Sequence, residues 1–325
     1  MNRIIKLFLF SFGLFVLFAL IYRVGFWEVL KIITKAKIHL IILGIFFYIT
    51  LIFARSVKWF LLLRTLQNKI RYKQFFPFYL VNSLMGFTTP FKSGEMITPL
   101  LLKKYLEIPA GQGFSVVLLD RFFELIIFLL ILLFAVFYIL NAGVQNSPAL
   151  FIFQQIFLIL GLLISFLIII IASKKITLKM LGVFNFLKRF SPIKKFLEFI
   201  ERELDNLYNA LSLFRNKKVY RFMIPLTLLV WFFEIIAYYL VFNSVFYIPF
   251  IDVAVSQMIA AAATFATFIP GGMGVAEFGA VYVLGLIGYP DTLTLSGALL
   301  VRFFLTGTLL TSGLIGVLLI KRRSS

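Results

Sequence analysis

The chain has no cysteine and a single histidine, His39, among its 325 residues. The missing thiols exclude disulfides, thiolate metal sites and cysteine nucleophiles. His39 opens an apolar run beside basic residues, which is typical of an interfacial side chain, so acyl transfer with a histidine base is not expected. Acids are also few, with 13 Asp and Glu against 32 Lys and Arg. This composition predicts neither a cofactor nor a metal site.

Charged residues make up only 14% of the chain, whereas hydrophobic residues make up 62%. No water-soluble domain has enough interior for that much apolar surface. Several apolar runs reach the roughly 20 residues that span a bilayer, and they are continuous, which favours helices over strands. The net charge of +19 lies mostly between these runs, so nucleic acid is not an expected partner. The sequence predicts an all-α polytopic membrane protein, with one membrane domain over residues 1–325.

Six apolar runs read as full spans, and two others are interrupted. The N-terminal run has the basic start of a signal peptide, but its long apolar stretch lacks a cleavage site, so we expect it to be retained as the first span. One interrupted stretch, residues 75–102, breaks at "TTPFKSGEM", and the other, residues 253–289, breaks at "FIPGGMGVAEF". The predicted full spans are residues 4–22, 38–54, 114–139, 150–172, 222–247 and 293–319.

Basic segments set the expected orientation. Residues 55–73, residues 174–221 and the C-terminus are rich in Lys and Arg, which predicts a cytoplasmic membrane protein with both termini in the cytoplasm. The basic segment 23–37 argues weakly the other way. These assignments agree if each interrupted stretch is a re-entrant hairpin or two short crossings. Within residues 173–221, an amphipathic helix from Ser191 to Phe214 is expected on anionic inner-leaflet lipids.

The two interrupted stretches belong to an internal repeat. Each is followed by a span that begins with the string LLxRFF, in "LLDRFFELIIF" and "LLVRFFLTGTL". The order of proline, glycine, glutamate and arginine also recurs, as Pro90, Gly94, Glu95 and Arg121 and then as Pro270, Gly274, Glu277 and Arg302. We therefore predict two inverted-topology repeats, residues 1–149 and 150–325, each with three transmembrane helices and one re-entrant helical hairpin. Transporters with this design bind substrate at the midplane, between the broken helices.

The breaks predict a polar cavity inside the membrane. A proline ends each half-helix, and the next helix directs unpaired N–H groups at the interior, where a lipid phosphate is the obvious anion. Charges at this depth are functional candidates, although ion pairs that only join the repeats would explain them as well. These charges include more acids than cations. Two explanations stay open, namely that the extra acids bind a cationic headgroup or that one acid is protonated. The cations are Lys92, Arg121 and Arg302, and the acids are Glu95, Asp120, Glu124 and Glu277, with Glu234 as a further candidate.

At these residues the chain resembles the flippase-like family that includes the transmembrane region of lysylphosphatidylglycerol synthases. The similarity covers nearly the entire chain, through "TPFKSGE" with "LLDRFFE" and "IPGGMGVAEF" with "LLVRFF". It implies a lipid translocator for an aminoacylated phospholipid or a polyprenyl-linked lipid. The site residues implied by the resemblance are Gly94, Glu95, Arg121, Glu124, Pro270, Gly271, Gly272, Gly274, Glu277 and Arg302, to which the first break adds Pro90 and Lys92.

Two departures from this family bear on function. The family often has an arginine shortly after its first Gly-Glu, whereas this chain has "MITPLLL" with Thr98 and Pro99. The full synthases carry a soluble transferase domain after the membrane part, whereas this sequence ends at Ser325, so no enzymatic activity is expected. A membrane enzyme acting on lipid-linked phosphates and a scaffold for a separate lipid-modifying synthetase remain the alternatives. The sequence leaves self-association into a homo-oligomer open.

Overall fold

The computed structural model describes residues 3–66, 70–141, 154–162, 165, 219–267 and 269–324. Regular structure in these ranges is entirely helical, which confirms the all-α part of the predicted fold class. The helices are α1 (Arg3–Val24), α2 (Phe26–Thr34), α3 (Ile38–Leu66), α4 (Tyr72–Thr88), α5 (Thr98–Leu106), α6 (Ala110–Asn141), α7 (Tyr220–Asn243), α8 (Phe250–Thr267), α9 (Val275–Ile287) and α10 (Asp291–Ser324), with 3-10 helices at Pro90–Ile97 and Pro270–Gly272.

In the part of the chain that the structure describes, four helices are long and apolar enough to cross a membrane, and they coincide with four of the six predicted full spans. These are α3, α6, α7 and α10. A fifth span exists if Ser11–Val24 and Phe26–Thr34, which meet at an 86° bend, count as one. Of the predicted span 150–172, residues 154–162 are helical and most of the remainder lies outside the described residues. The predicted amphipathic helix from Ser191 to Phe214 also lies outside them.

Helix α3 corrects the predicted end of the second span. The apolar run suggested an end near residue 54, with a basic cytoplasmic loop to follow, but the helix continues to Leu66. Arg55 and Lys58 therefore lie inside the helix, and Lys58 is fully buried. Both bind acids of other helices, which offsets the cost of removing their charges from water. They are not loop charges and carry no information on orientation.

Both predicted breaks interrupt helices in the structure. Helix α4 ends at Thr88, two residues before Pro90, and α8 ends at Thr267, three residues before Pro270. The second break needs glycine, because Gly271 and Gly274 have φ values of 63° and 78°. The second break contains a three-residue 3-10 helix before α9, whereas the first break contains an eight-residue 3-10 helix before α5. At both breaks a further helix follows the proline, as the sequence predicts.

The helices pack through close backbone contacts. Helix α3 lies along α7, where a Cβ on Gly44 would come within 3.1 Å of the Ala237 carbonyl oxygen. Helix α10 lies along α4, where a Cβ on Gly316 would come within 2.8 Å of the Pro77 carbonyl oxygen. Helix α8 packs against both α9 and α6. Because lipid tails are as apolar as the side chains, such close approach is the means by which membrane helices associate.

Candidate functional site

The first break is held by the arginine of the first LLxRFF string. Glu95, in the 3-10 helix after Pro90, accepts a hydrogen bond from Nη2 of Arg121 at 2.7 Å. Nη1 of Arg121 donates to Glu124, one turn further along α6, at 2.7 Å. Both acids are buried, whereas the Arg121 side chain is 29% exposed. The predicted shared face of Arg121 and Glu124 on one helix is confirmed.

The second break is held by the arginine of the second LLxRFF string. Nε of Arg302 donates to Glu277, while its Nη1 and Nη2 donate to the carbonyl oxygens of Gly271 at 2.6 Å and Gly272 at 3.2 Å. The other oxygen of Glu277 accepts the N–H of Gly274 at 2.8 Å. This glutamate caps α9. An internal carboxylate therefore already lies at the helix N-terminus where an external anion was predicted.

Helix α3 supplies two cations that the sequence interpretation missed. Nζ of Lys58 lies 2.8 Å from Asp120 and 3.1 Å from Glu124. Nη2 of Arg55 donates to Glu234 of α7 at 2.9 Å, and its Nε lies 3.8 Å from Glu124. Glu124 is thus shared by three cations. It joins α3 and α6, and through Arg55 the network reaches α7.

This network corrects the predicted charge count. Three cations against five acids suggested an unmet need for a cationic headgroup or for a protonated acid. The two cations of α3 remove that excess, so the count no longer favours either explanation. Among the described residues the cluster has five cations and five acids, namely Arg55, Lys58, Lys92, Arg121 and Arg302 with Glu95, Asp120, Glu124, Glu234 and Glu277.

A cavity of about 220 Å³ lies among these charges. Residues of both breaks contribute to it, together with side chains of α3, α4, α6, α7, α8, α9 and α10. Its polar lining also includes the side chains of Tyr48, Tyr79, Trp231, Tyr238 and Gln257, none of which has a distinctive sequence signal. The predicted site residues that line it are Lys92, Glu95, Arg121, Gly271, Glu277 and Arg302.

The remaining predicted site residues support the breaks without lining the cavity. The N–H of Gly94 donates to the Thr89 hydroxyl at 2.7 Å, within the turn after α4. Gly272 contributes the carbonyl that Arg302 binds, and Gly274 contributes the N–H that Glu277 accepts. Pro90 and Pro270 begin the two 3-10 helices. Glu124 contacts the cavity only indirectly, through Arg121 and Arg55.

A second polar cluster lies apart from the cavity lining. Asp252, buried in the first turn of α8, accepts hydrogen bonds from Tyr138 at 2.8 Å and Tyr289 at 2.7 Å. Burial, and then the bond to Asp252, raises the pKa of Tyr289, which lies in the turn before α10. The cluster joins the end of α6 to the start of α8. Within the described ranges, no group of three or more His, Asp or Glu side chains could hold a metal ion.

The long apolar helices and the charged cavity define a polytopic membrane protein with a polar centre. A family model described as the lysylphosphatidylglycerol synthase transmembrane region matches residues 3–313, so the chain belongs to that family and the predicted resemblance is confirmed. A UPF0104 membrane protein of Methanocaldococcus jannaschii is 26% identical over 317 residues, which cover 95% of this chain and 93% of the relative. No solved structure matches the chain.

Proposed function

We propose that this protein is a lipid translocase. It moves a phosphate-containing lipid, an aminoacylated phospholipid or a polyprenyl-linked lipid, between leaflets without changing the lipid chemically. The headgroup passes through the charged cavity while the acyl chains stay in the bilayer. The observation that carries this proposal is the cavity itself, because ionised side chains from both halves converge on one space among apolar helices. Charge at such depth is costly and is retained where a polar ligand needs it.

We propose that the chain is built from two inverted repeats, with the breaks as re-entrant hairpins. Equivalent contacts support this arrangement. In each half, the glutamate after the break binds the arginine of LLxRFF, as Glu95 with Arg121 and as Glu277 with Arg302. Helix α4 packs against α10, and α8, its counterpart, packs against α6, the counterpart of α10. The helix before each break thus packs against the LLxRFF helix of the other half. In such an arrangement a binding site is expected at the interface between the two halves.

The proposed setting is the cytoplasmic membrane, with both termini in the cytoplasm. The proposed lipid partners are the translocated phospholipid or polyprenyl-linked lipid and, for the basic segment 173–221, anionic lipids of the inner leaflet. Cysteine substitutions test the orientation, since the natural chain has no cysteine to interfere. Single cysteines introduced near residues 70 and 322 should both react with an impermeant thiol reagent only from the cytoplasmic side. Labelling of the two positions from opposite sides would refute the topology.

The function is tested in phosphatidylcholine vesicles that contain the purified protein. A trace of fluorescent phosphatidylglycerol or of fluorescent aminoacylated phosphatidylglycerol reports leaflet exchange, since an impermeant reductant quenches only the outer leaflet. We expect fast exchange with wild type and a loss of at least tenfold in Glu277→Gln and Arg302→Ala. Glu107→Gln and Arg64→Ala, which remove exposed charges, should exchange lipid at the wild-type rate.

Two results would contradict the proposal. Equal exchange in wild type, Glu277→Gln, Arg302→Ala and protein-free vesicles would exclude translocation through this cavity. A chemically altered lipid, recovered by mass spectrometry after incubation with the purified protein alone, would instead identify a membrane enzyme. The same vesicles serve both measurements.

A further inference from the structure

Most charged groups at the cavity are occupied by other groups of the protein. Arg302 uses all three of its nitrogens on Glu277 and on the carbonyls of Gly271 and Gly272. Both oxygens of Glu277 are used as well, by Arg302 and by the N–H of Gly274. This group therefore maintains the shape of the second break. Three of the five N–H groups of Arg302 are used within the break, so this arginine is engaged mainly with the break itself.

Lys92 is the exception. Its side chain lines the cavity, and its ammonium makes no ion pair and no hydrogen bond with any residue in the described part of the chain. Its backbone is also unusual, since φ is 54° in a residue that is not glycine. Such a left-handed position is unfavourable and is retained where the surroundings require it, which is common at binding sites. The first break thus turns an unpaired cation toward the cavity.

Other residues that line the cavity also have unused donors. Nε of Arg121 and Nε1 of Trp231 are buried and have no hydrogen-bond acceptor among the described residues, although both side chains line the cavity. Trp231 is itself more than nine-tenths buried. A buried N–H without an acceptor is unfavourable, so each of these groups favours a ligand that brings oxygen atoms.

The acceptors of the cluster do not show the same deficit. Oε2 of Glu95 makes no ideally aligned hydrogen bond, but it lies 2.5 Å from Nη2 of Arg121. Among the described residues, neither oxygen of Asp120 makes an aligned hydrogen bond, but Oδ1 lies 2.8 Å from Nζ of Lys58 and Oδ2 lies 3.8 Å from Nη2 of Arg121. These carboxylates are compensated by adjacent cations. The unused polar capacity at the cavity is therefore that of donors, which suits an anion.

We propose that Lys92 is the specificity-determining residue of this cavity and binds the phosphate of the lipid headgroup. The Nε of Arg121 and Nε1 of Trp231 donate to further oxygens of the same ligand, while Arg302 only positions the second break. This inference rests on the proposed function and deepens it, because it makes the phosphate the recognised group and assigns it to the first break. An ammonium group on the headgroup is not required.

Binding to the purified, detergent-solubilised chain tests this assignment. The probes are dioctanoyl phosphatidylglycerol, which carries the phosphate, and dioctanoylglycerol, which lacks it. We expect Lys92→Gln to weaken binding of the first probe at least tenfold and to leave binding of the second unchanged. Lys92→Arg should bind both like wild type, and Lys103→Gln, which removes an exposed lysine from α5, is the matched control. Lys92→Gln should melt at the wild-type temperature, since no ion pair is lost.

Each alternative outcome is distinct. Equal binding of dioctanoyl phosphatidylglycerol by wild type and Lys92→Gln would overturn the assignment, as would an equal loss for both probes, which would indicate a structural role. Glycerol phosphate, which has no acyl chains, separates the two sources of the group. Its failure to compete supports a lipid phosphate, whereas competition equal to that of the lipid would overturn the lipid as ligand.

The inference and the proposed function fail in different measurements. If wild type binds phosphatidylglycerol through Lys92 but does not exchange it between leaflets, translocation is wrong and the phosphate site stands. If wild type exchanges lipid and Lys92→Gln does so at the same rate with the same affinity, the assignment to Lys92 is wrong and translocation stands.

Discussion

The contact between Arg302 and Glu277 provides a quantitative test of how the second break is held. In Arg302→Gln, the Glu277 carboxylate, whose side chain is 3% exposed, keeps only the N–H of Gly274. Removal of one partner of a buried ion pair costs about 3–5 kcal/mol, because the other charge stays buried without compensation. Glu277→Gln should cost less, about 1–2 kcal/mol, since Arg302 is 19% exposed and still binds two carbonyls.

The double variant Arg302→Gln/Glu277→Gln measures the interaction energy between the two side chains, apart from the effect of each single substitution. Because neither charge is then stranded, its loss of unfolding free energy should be smaller than the sum of the single losses by about 1–3 kcal/mol. The free energies come from denaturant titration in mixed micelles, with Arg64→Gln, an exposed arginine near the end of α3, as control. Single losses that add to within about 0.5 kcal/mol would refute the reasoning, since independent sites behave in that way.

Two other substitutions test the buried network and the second break. Lys58→Met should lower the unfolding free energy by about 3–5 kcal/mol, because it removes the cation that lies closest to the fully buried Asp120. Adding Asp120→Asn should recover part of that loss in the same denaturant titration. Gly271→Ala should lower the melting temperature, because φ is 63° and the new Cβ would lie 2.7 Å from the ring of Phe87. The control is Gly111→Ala on α6, where a Cβ has open space, and it should leave the melting temperature unchanged.

The sequence predicts the breaks well because their chemistry is local. Pro90 and Pro270 lack an N–H, and the glycines that follow accept backbone angles that other residues avoid, so the two interruptions are recognisable without any tertiary information. The pairing of each break with the LLxRFF arginine of its own half was not predicted, because only ion pairs that join the two repeats were considered. It depends on how α6 and α10 pack, and the repeat spacing limits this packing but does not determine it.

Arg55 and Lys58 show where the sequence interpretation failed. They follow an apolar run, and hydropathy treats two basic residues there as the start of a loop. A helical pattern contains a signal that was not used, because Gly44, Tyr48 and Leu51 continue at three- and four-residue steps into these two positions. Extending that stripe past the first charge would have placed both cations on the buried face. Their partners, on α6 and α7, could not be identified in this way.

The two halves share a motif but differ in what their arginines are free to do. Arg121 and Arg302 occupy equivalent places in the repeat, and each binds the glutamate that follows its own break. At the second break, the glycine backbone presents two carbonyls to Arg302, so each nitrogen of this arginine donates a hydrogen bond within the break. At the first break, the chain passes through a 3-10 helix, and Arg121 binds two acids while its Nε stays unused.

Under the proposed function, this difference gives the two breaks different roles. A cation that is bound to backbone carbonyls fixes the shape of a loop. At the first break, Arg121 has an unused donor and Lys92 has no partner among the described residues, so this break is the proposed binding site. A symmetric pair of sites would bind the same anion twice within one small cavity, with repulsion between the two charges. If only the first break binds an anion, that repulsion is avoided. The charges therefore favour the binding of one headgroup at a time.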